Sequence, residues 1–174
     1  MNVSGSELPL DEVDKKILHT LISHGRITWT ELAAVVKLSG PAAAERVRRM
    51  EERGIIRGYT VLLDSRSVGL DIVAFVGVTL ERTKFRQKFI ELINGMSEVQ
   101  ECYHVSGEDD FLLKIRCENT LALEQIIVER LKKISGILRA KITIVLSPIK
   151  EIQNYPIQNG IHLHSKNNLR EEKR

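Results

Sequence analysis

Cysteine is scarce in this chain. Cys102 and Cys117 are its only two and lie far apart, which rules out a disulfide framework. Both sit in apolar, strand-like contexts and are expected to be buried, reduced thiols. Long apolar runs are missing too. The longest, 72–78 and 142–146, fall far short of the ~20 residues needed to cross a bilayer. No basic segment followed by an apolar run opens the chain, so a secretory signal is not expected and the cytoplasm is. There is no Ser/His/Asp set, no metal-ligand spacing and no phosphate-cradling glycine loop. The expectation is therefore no catalytic residues, no metal, no cofactor and no membrane partner. Internal repeats and low-complexity tracts are also lacking. What remains is ordinary globular composition, 43% hydrophobic and 28% charged over 174 residues, enough for one domain or two small ones.

A net charge of +3 does not announce a nucleic-acid binder. The distribution is more telling. Residues 64–149 carry acidic and basic side chains in equal number, while Arg46, Arg48, Arg49, Arg53 and Arg57 crowd one short stretch against Glu51 and Glu52. Local concentration of cations is what phosphate binding requires.

That stretch ends a three-helix pattern. Val13, Ile17, Leu18, Leu21 and Ile22 give residues 11–23 a helical apolar stripe, with Asp11 as N-cap and Gly25 beyond the last turn. Thr28 and Glu31 have capping-box spacing ahead of Leu32, Ala33 and Val36. A third helix is expected over 40–53, admitting Pro41 in its first turn, with Gly54 closing it. Lys37, Leu38 and Ser39 form the short turn between the last two, in helix-turn-helix proportions. Ala43, Val47 and Met50 make the packing face of the third helix. Ala42, Glu45, Arg46, Arg49 and Arg53 are read as its exposed face, where small residues allow close approach and arginines reach guanine edges or phosphates. With Ser39 and Pro41 at the helix entry, these are the candidate contacts to double-stranded DNA. The β-branched run 55–63 is expected to be a strand leaving this head.

Beyond a polar linker at 64–71, the pattern reads strand, helix, strand, strand, helix, strand. The strands centre on 72–81, 99–106, 111–117 and 140–146, and the helices on Phe85, Phe89 and Ile93 and on Leu123, Ile126, Ile127, Leu131 and Ile134. This βαββαβ order is the ferredoxin-like split arrangement, an antiparallel sheet with both helices on one face. Several strands carry apolar residues on both sides. The other face therefore needs a cover, and a second copy of the chain is the simplest, which predicts a homodimer. The domain expectation is 8–63 for the head, 64–71 for the linker, 72–152 for the second unit and 153–174 for a mobile basic tail. His162 and His164 in that tail lack a nearby partner and are read as solvated.

Together these residues resemble a known family. The segments Leu10-Asp11-Glu12-Val13-Asp14, Gly25-Arg26-Ile27, Glu31-Leu32-Ala33, Glu45-Arg46-Val47-Arg48-Arg49-Met50-Glu51 and Gly54-Ile55-Ile56-Arg57-Gly58-Tyr59-Thr60 are similar to the leucine-responsive, or Lrp/AsnC, regulators. So is Val105-Ser106-Gly107-Glu108-Asp109-Asp110-Phe111-Leu112-Leu113, in the same register over roughly 8–152. The resemblance implies an α+β chain: a winged helix-turn-helix, then a ferredoxin-like ligand-sensing and oligomerisation domain. It implies sequence-specific transcriptional regulation, dimers that often assemble into octamers, and an amino-acid effector bound between subunits near the loop of Ser106, Gly107, Glu108, Asp109 and Asp110. This chain departs from the pattern at Glu108, where aspartate is common, and at Lys37, where glycine is.

Two other readings compete. A DNA-architectural protein without effector shares every feature except the ligand site. A tetrapyrrole decarboxylase, which some relatives resemble, needs cationic and imidazole groups in the second unit, where His104 is the lone histidine. The acidic loop is also a good turn sequence in its own right. As an effector loop, it is expected to receive an ammonium group on its carboxylates, with mutual repulsion favouring basic or neutral amino acids over acidic ones.

Overall fold

The structure is a computed structural model and describes residues 9–151. They form two compact units, divided between Val61 and Leu62.

In the first unit α1 spans Glu12–Ser23, α2 Trp29–Val36 and α3 Gly40–Glu52. α1 and α2 begin at the caps the sequence suggests, and α3 is capped by Ser39, which the sequence assigns to the turn. The Asp11 carboxylate accepts the Asp14 amide at 2.7 Å, and Asp14 returns the bond to the Asp11 amide. Thr28 and Glu31 make the same reciprocal pair, and the Ser39 hydroxyl accepts the Ala42 amide. Such caps contribute about 1 kcal/mol each. α2 ends at Lys37, which is left-handed (φ 58°), while Leu38 donates to the Ala33 carbonyl and Lys37 to that of Ala34. That is a Schellman closure without its usual glycine. Ile17, Leu32, Ala43, Val47 and Met50 fill the core, with Leu18, Ala33 and Val36 around them.

The strand expected over 55–63 does not form, and with it goes the wing among the described residues. The run is β-branched and apolar, but a strand needs a ladder partner, and a single chain presents none here. Tyr59, Val61, Leu62 and Leu63 are left exposed. The 64–71 linker is a hydrogen-bonded turn, held by the Asp64 carboxylate on the Ser67 amide and by Leu70 on the Ser65 carbonyl.

The second unit is a four-stranded antiparallel sheet of order β2-β3-β1-β4, made of β1 (Ile72–Leu80), β2 (Val99–His104), β3 (Phe111–Cys117) and β4 (Ile137–Ile144). Helices α4 (Arg86–Asn94) and α5 (Thr120–Gln125) cover one face. α5 continues as a π-helical turn over Ile126–Leu131, closed by Lys132 donating to the Ile127 carbonyl. The core joins Ala74, Val76 and Val78 to Phe89, Leu113, Ile115 and Leu131. The register places Val73, Phe75, Gly77 and Thr79 on the other face, beside Leu112, Lys114 and Arg116 of β3 and Arg139 and Lys141 of β4. That face is a short apolar stripe bordered by charge, not the second apolar face that the strand pattern suggests. Beyond β4 the chain turns so that Glu151 meets Lys114 at 2.9 Å and Arg116 at 2.7 Å. Cys117 is buried as expected. Cys102 is exposed, because β2 is an edge strand with no neighbour beyond it.

Candidate nucleic-acid interface and effector site

The sequence assigns Arg46 to the exposed face of α3, and the structure corrects this. Arg46 follows buried Ala43 by three residues and precedes buried Met50 by four, so it flanks the packed stripe. Its guanidinium turns to α1, 2.6 Å from Asp11 and 2.8 Å from Asp14. The Asp14 side chain is 3% exposed and that of Arg46 27%. Hydrogen bonds to Asp11 and then Asp14 hold the Arg46 guanidinium above its ordinary range. Burial pushes the Asp11 carboxyl up, but the Asp14 amide and Arg46 outweigh it and hold it below the usual aspartate range. Asp14 is the buried member of this cluster, so removing Arg46 is destabilising and leaves its charge with the Asp11 amide and Arg49 at 3.7 Å.

The remaining helix residues divide into two groups. Ser39, Pro41, Ala42, Glu45 and Arg49 are exposed, while Arg53 is half-buried as the C-cap. Glu45 is engaged by Arg48, which also pairs with Glu52 one turn on. Arg48 is exposed and joins the residues that the sequence assigns to this face. Its position two residues past Arg46 puts it squarely on the outer face. Arg49 differs from both neighbours. It meets Asp14 at 3.7 Å, beyond hydrogen-bond length, and is 45% exposed. Its charge is thus the least engaged of the three. The segment after α3 is held to the helix by the Tyr59 hydroxyl, which donates to Glu51 at 2.8 Å. Burial, then Glu51, pushes that phenol up to about 12.

The loop between β2 and β3 is built against β1. The Asp110 carboxylate accepts the Leu80 amide at 2.7 Å, and the Asp110 amide donates to the Val78 carbonyl. The Asp109 carboxylate lies over Gly77, where any Cβ would collide with it. It accepts the Thr79 hydroxyl and Arg139, each at 3.2 Å. Arg139 also reaches the Glu108 carbonyl. Asp109 and Asp110 are therefore half-buried and internally partnered, whereas Ser106, Gly107 and Glu108 are exposed. Arg139 meets the Asp109 carboxylate and the Leu80 amide that of Asp110, so less repulsion is left in the loop than the sequence suggests. Gly77 and Arg139 went unnoticed in the sequence. A glycine inside an apolar strand is the signal that could have pointed to a close approach.

Among the described residues no three potential metal ligands gather, and no helix is long and apolar enough to cross a membrane. His104 lies against the Phe111 ring at 5.3 Å on the edge strand. His162 and His164 lie outside the described residues, as does the expected 153–174 tail.

Residues 10–51 match the AsnC-type helix-turn-helix domain, and residues 73–155 match the Lrp/AsnC ligand binding domain. A leucine-responsive regulatory protein from Serratia marcescens is 35% identical over 154 residues, 86% of this chain and 94% of that protein. A transcriptional regulator from Neisseria meningitidis, solved as its L-methionine complex, aligns with a TM-score of 0.81 at 32% identity, covering 85% of this chain and 97% of that one. The feast or famine regulatory protein of Mycobacterium tuberculosis, also complexed with L-methionine, aligns with a TM-score of 0.78 at 31% identity, covering 84% and 99%.

Proposed function

The chain belongs to the Lrp/AsnC family of DNA-binding transcriptional regulators, and on that premise we propose that it works as a homodimer or larger assembly whose operator binding through α3 is tuned by an amino acid held at the 106–110 loop. Membership of a regulator family also removes the decarboxylase alternative. The observation that carries the effector reading is that two relatives matching over 84–85% of this chain are solved with L-methionine.

The DNA contacts are Arg49, with Ser39, Pro41, Ala42, Glu45 and Arg53 around it and Arg48 added. Arg46 supports them from behind. At the effector loop, Ser106, Gly107 and Glu108 meet the ligand, whose carboxylate takes backbone amides beside Gly107 and whose ammonium group takes Glu108. Asp109 and Asp110 hold the loop in place. The effector acts by binding one assembly state more tightly than another. Two features support assembly: the exposed apolar run at Tyr59, Val61, Leu62 and Leu63, which lacks a strand partner, and the apolar stripe on the open face of the sheet.

Calorimetry with the twenty common amino acids, L-methionine first, tests the ligand. Fluorescence anisotropy on operator DNA with and without the ligand tests the coupling. A ligand that binds and shifts DNA affinity supports the proposal. No binding by any of the twenty rejects the effector and leaves the architectural reading.

A further inference from the structure

The ion cluster joining α1 to α3 does more than brace the helices. We propose that Asp14 is a positioning residue that sets how much positive charge α3 offers to DNA, retaining Arg46 permanently and restraining Arg49 loosely. The inference rests on α3 being the DNA-reading helix.

Two carboxylates, Asp11 and Asp14, and two guanidiniums make three close approaches of unequal length. Arg46 closes on Asp11 at 2.6 Å and on Asp14 at 2.8 Å, while Arg49 approaches Asp14 at 3.7 Å. Asp14 is almost wholly buried, with one oxygen toward Arg46 and the other on the Asp11 amide. Its charge cannot be solvated by water and must be met by arginine. Arg46 meets it with charge-assisted hydrogen bonds, so it is not available to phosphate. Arg49 feels the same carboxylate without being bonded to it. It remains half exposed, so an arriving phosphate or guanine edge competes with a weak partner. Loose restraint of this kind narrows the side chain's freedom before binding without cancelling its charge. It also limits adhesion to arbitrary sequences, which grows with every cation that can reach a phosphate.

A merely structural role and a charge-setting role predict opposite signs. The test uses the full-length chain, with one operator duplex and one scrambled duplex titrated across a range of salt. Asp14→Asn keeps the shape and an acceptor for the Asp11 amide while removing the charge that retains the arginines. Binding to the scrambled duplex should tighten severalfold, with a salt slope steeper by about one phosphate contact, and the operator-to-scrambled ratio should fall. Arg46→Met leaves both carboxylates facing Arg49, draws it inward and weakens operator binding. Adding Asp14→Asn to Arg46→Met should recover part of that loss, a coupling that a double-mutant cycle reads directly. Thermal melts of all three variants confirm that folded protein is compared. Asp14→Asn weakening both duplexes equally at unchanged slope overturns the proposal, as does the absence of any coupling in the cycle. An Arg49→Ala control that binds DNA like wild type instead rejects α3 as the reading helix, so the two failures are distinguishable.

Discussion

At the level of single residues, Arg49 and Lys37 carry the sharpest consequences. Arg49→Ala removes a 45% exposed side chain that lies 3.7 Å from Asp14, so the first unit should stay folded. If Arg49 reads a base edge, operator binding weakens by about 1–3 kcal/mol while scrambled DNA is unaffected. If it neutralises a phosphate, both weaken and the salt slope falls by about one unit. Anisotropy on the two duplexes decides between them, and no change in either removes Arg49 from the interface. Lys37 sits at φ 58°, where a Cβ is costly. Lys37→Gly should raise stability by about 1 kcal/mol in a chemical melt, since glycine relieves the left-handed strain. A loss of stability would mean that the lysine side chain contributes a contact that outweighs the strain.

Elements show which features of the fold were legible in the sequence and which were not. The caps at Asp11 and Thr28 could be read because a cap is a local bond between residues three apart, whereas Ser39, which the sequence places in the turn, proves to be the cap of α3. Strand β1 could be read as a β-branched apolar run, and β3 by the alternation that its burial follows. The 55–63 run misled, since β propensity says nothing about the presence of a neighbour. Arg46 misled because its partners lie more than thirty positions away in α1. The loop carboxylates misled for the same reason, with Thr79 and Leu80 on β1 and Arg139 on β4. Element-scale predictions follow from the sheet. Phe75 lies in the apolar stripe of the open face, so Phe75→Glu should convert the proposed homodimer to monomers by light scattering. A variant of unchanged mass would place the interface elsewhere. The segment after β4 is clamped by Glu151, whose carboxyl Lys114 and then Arg116 hold below the usual glutamate range. A carboxyl lowered in the folded state contributes above its unfolded pKa and is lost as pH falls through its folded one. Stability should therefore fall on acidification below about pH 4, and Glu151→Gln should flatten that limb while lowering stability at neutral pH. A parallel decline in both proteins would show that other carboxylates dominate.

The whole molecule combines a DNA-reading unit and a ligand-sensing unit in one chain, each with its own core. The proposed effector couples two units that have separate cores. The direct test is the operator affinity of the full-length chain with and without its amino-acid effector, compared among wild type, Glu108→Ala and Arg49→Ala. Wild type should shift its affinity on adding effector. Glu108→Ala should keep the ligand-free affinity but lose the shift, and Arg49→Ala should lose affinity while still binding the effector by calorimetry. A Glu108→Ala protein that responds like wild type, or an Arg49→Ala protein that loses both properties together, would contradict the proposal.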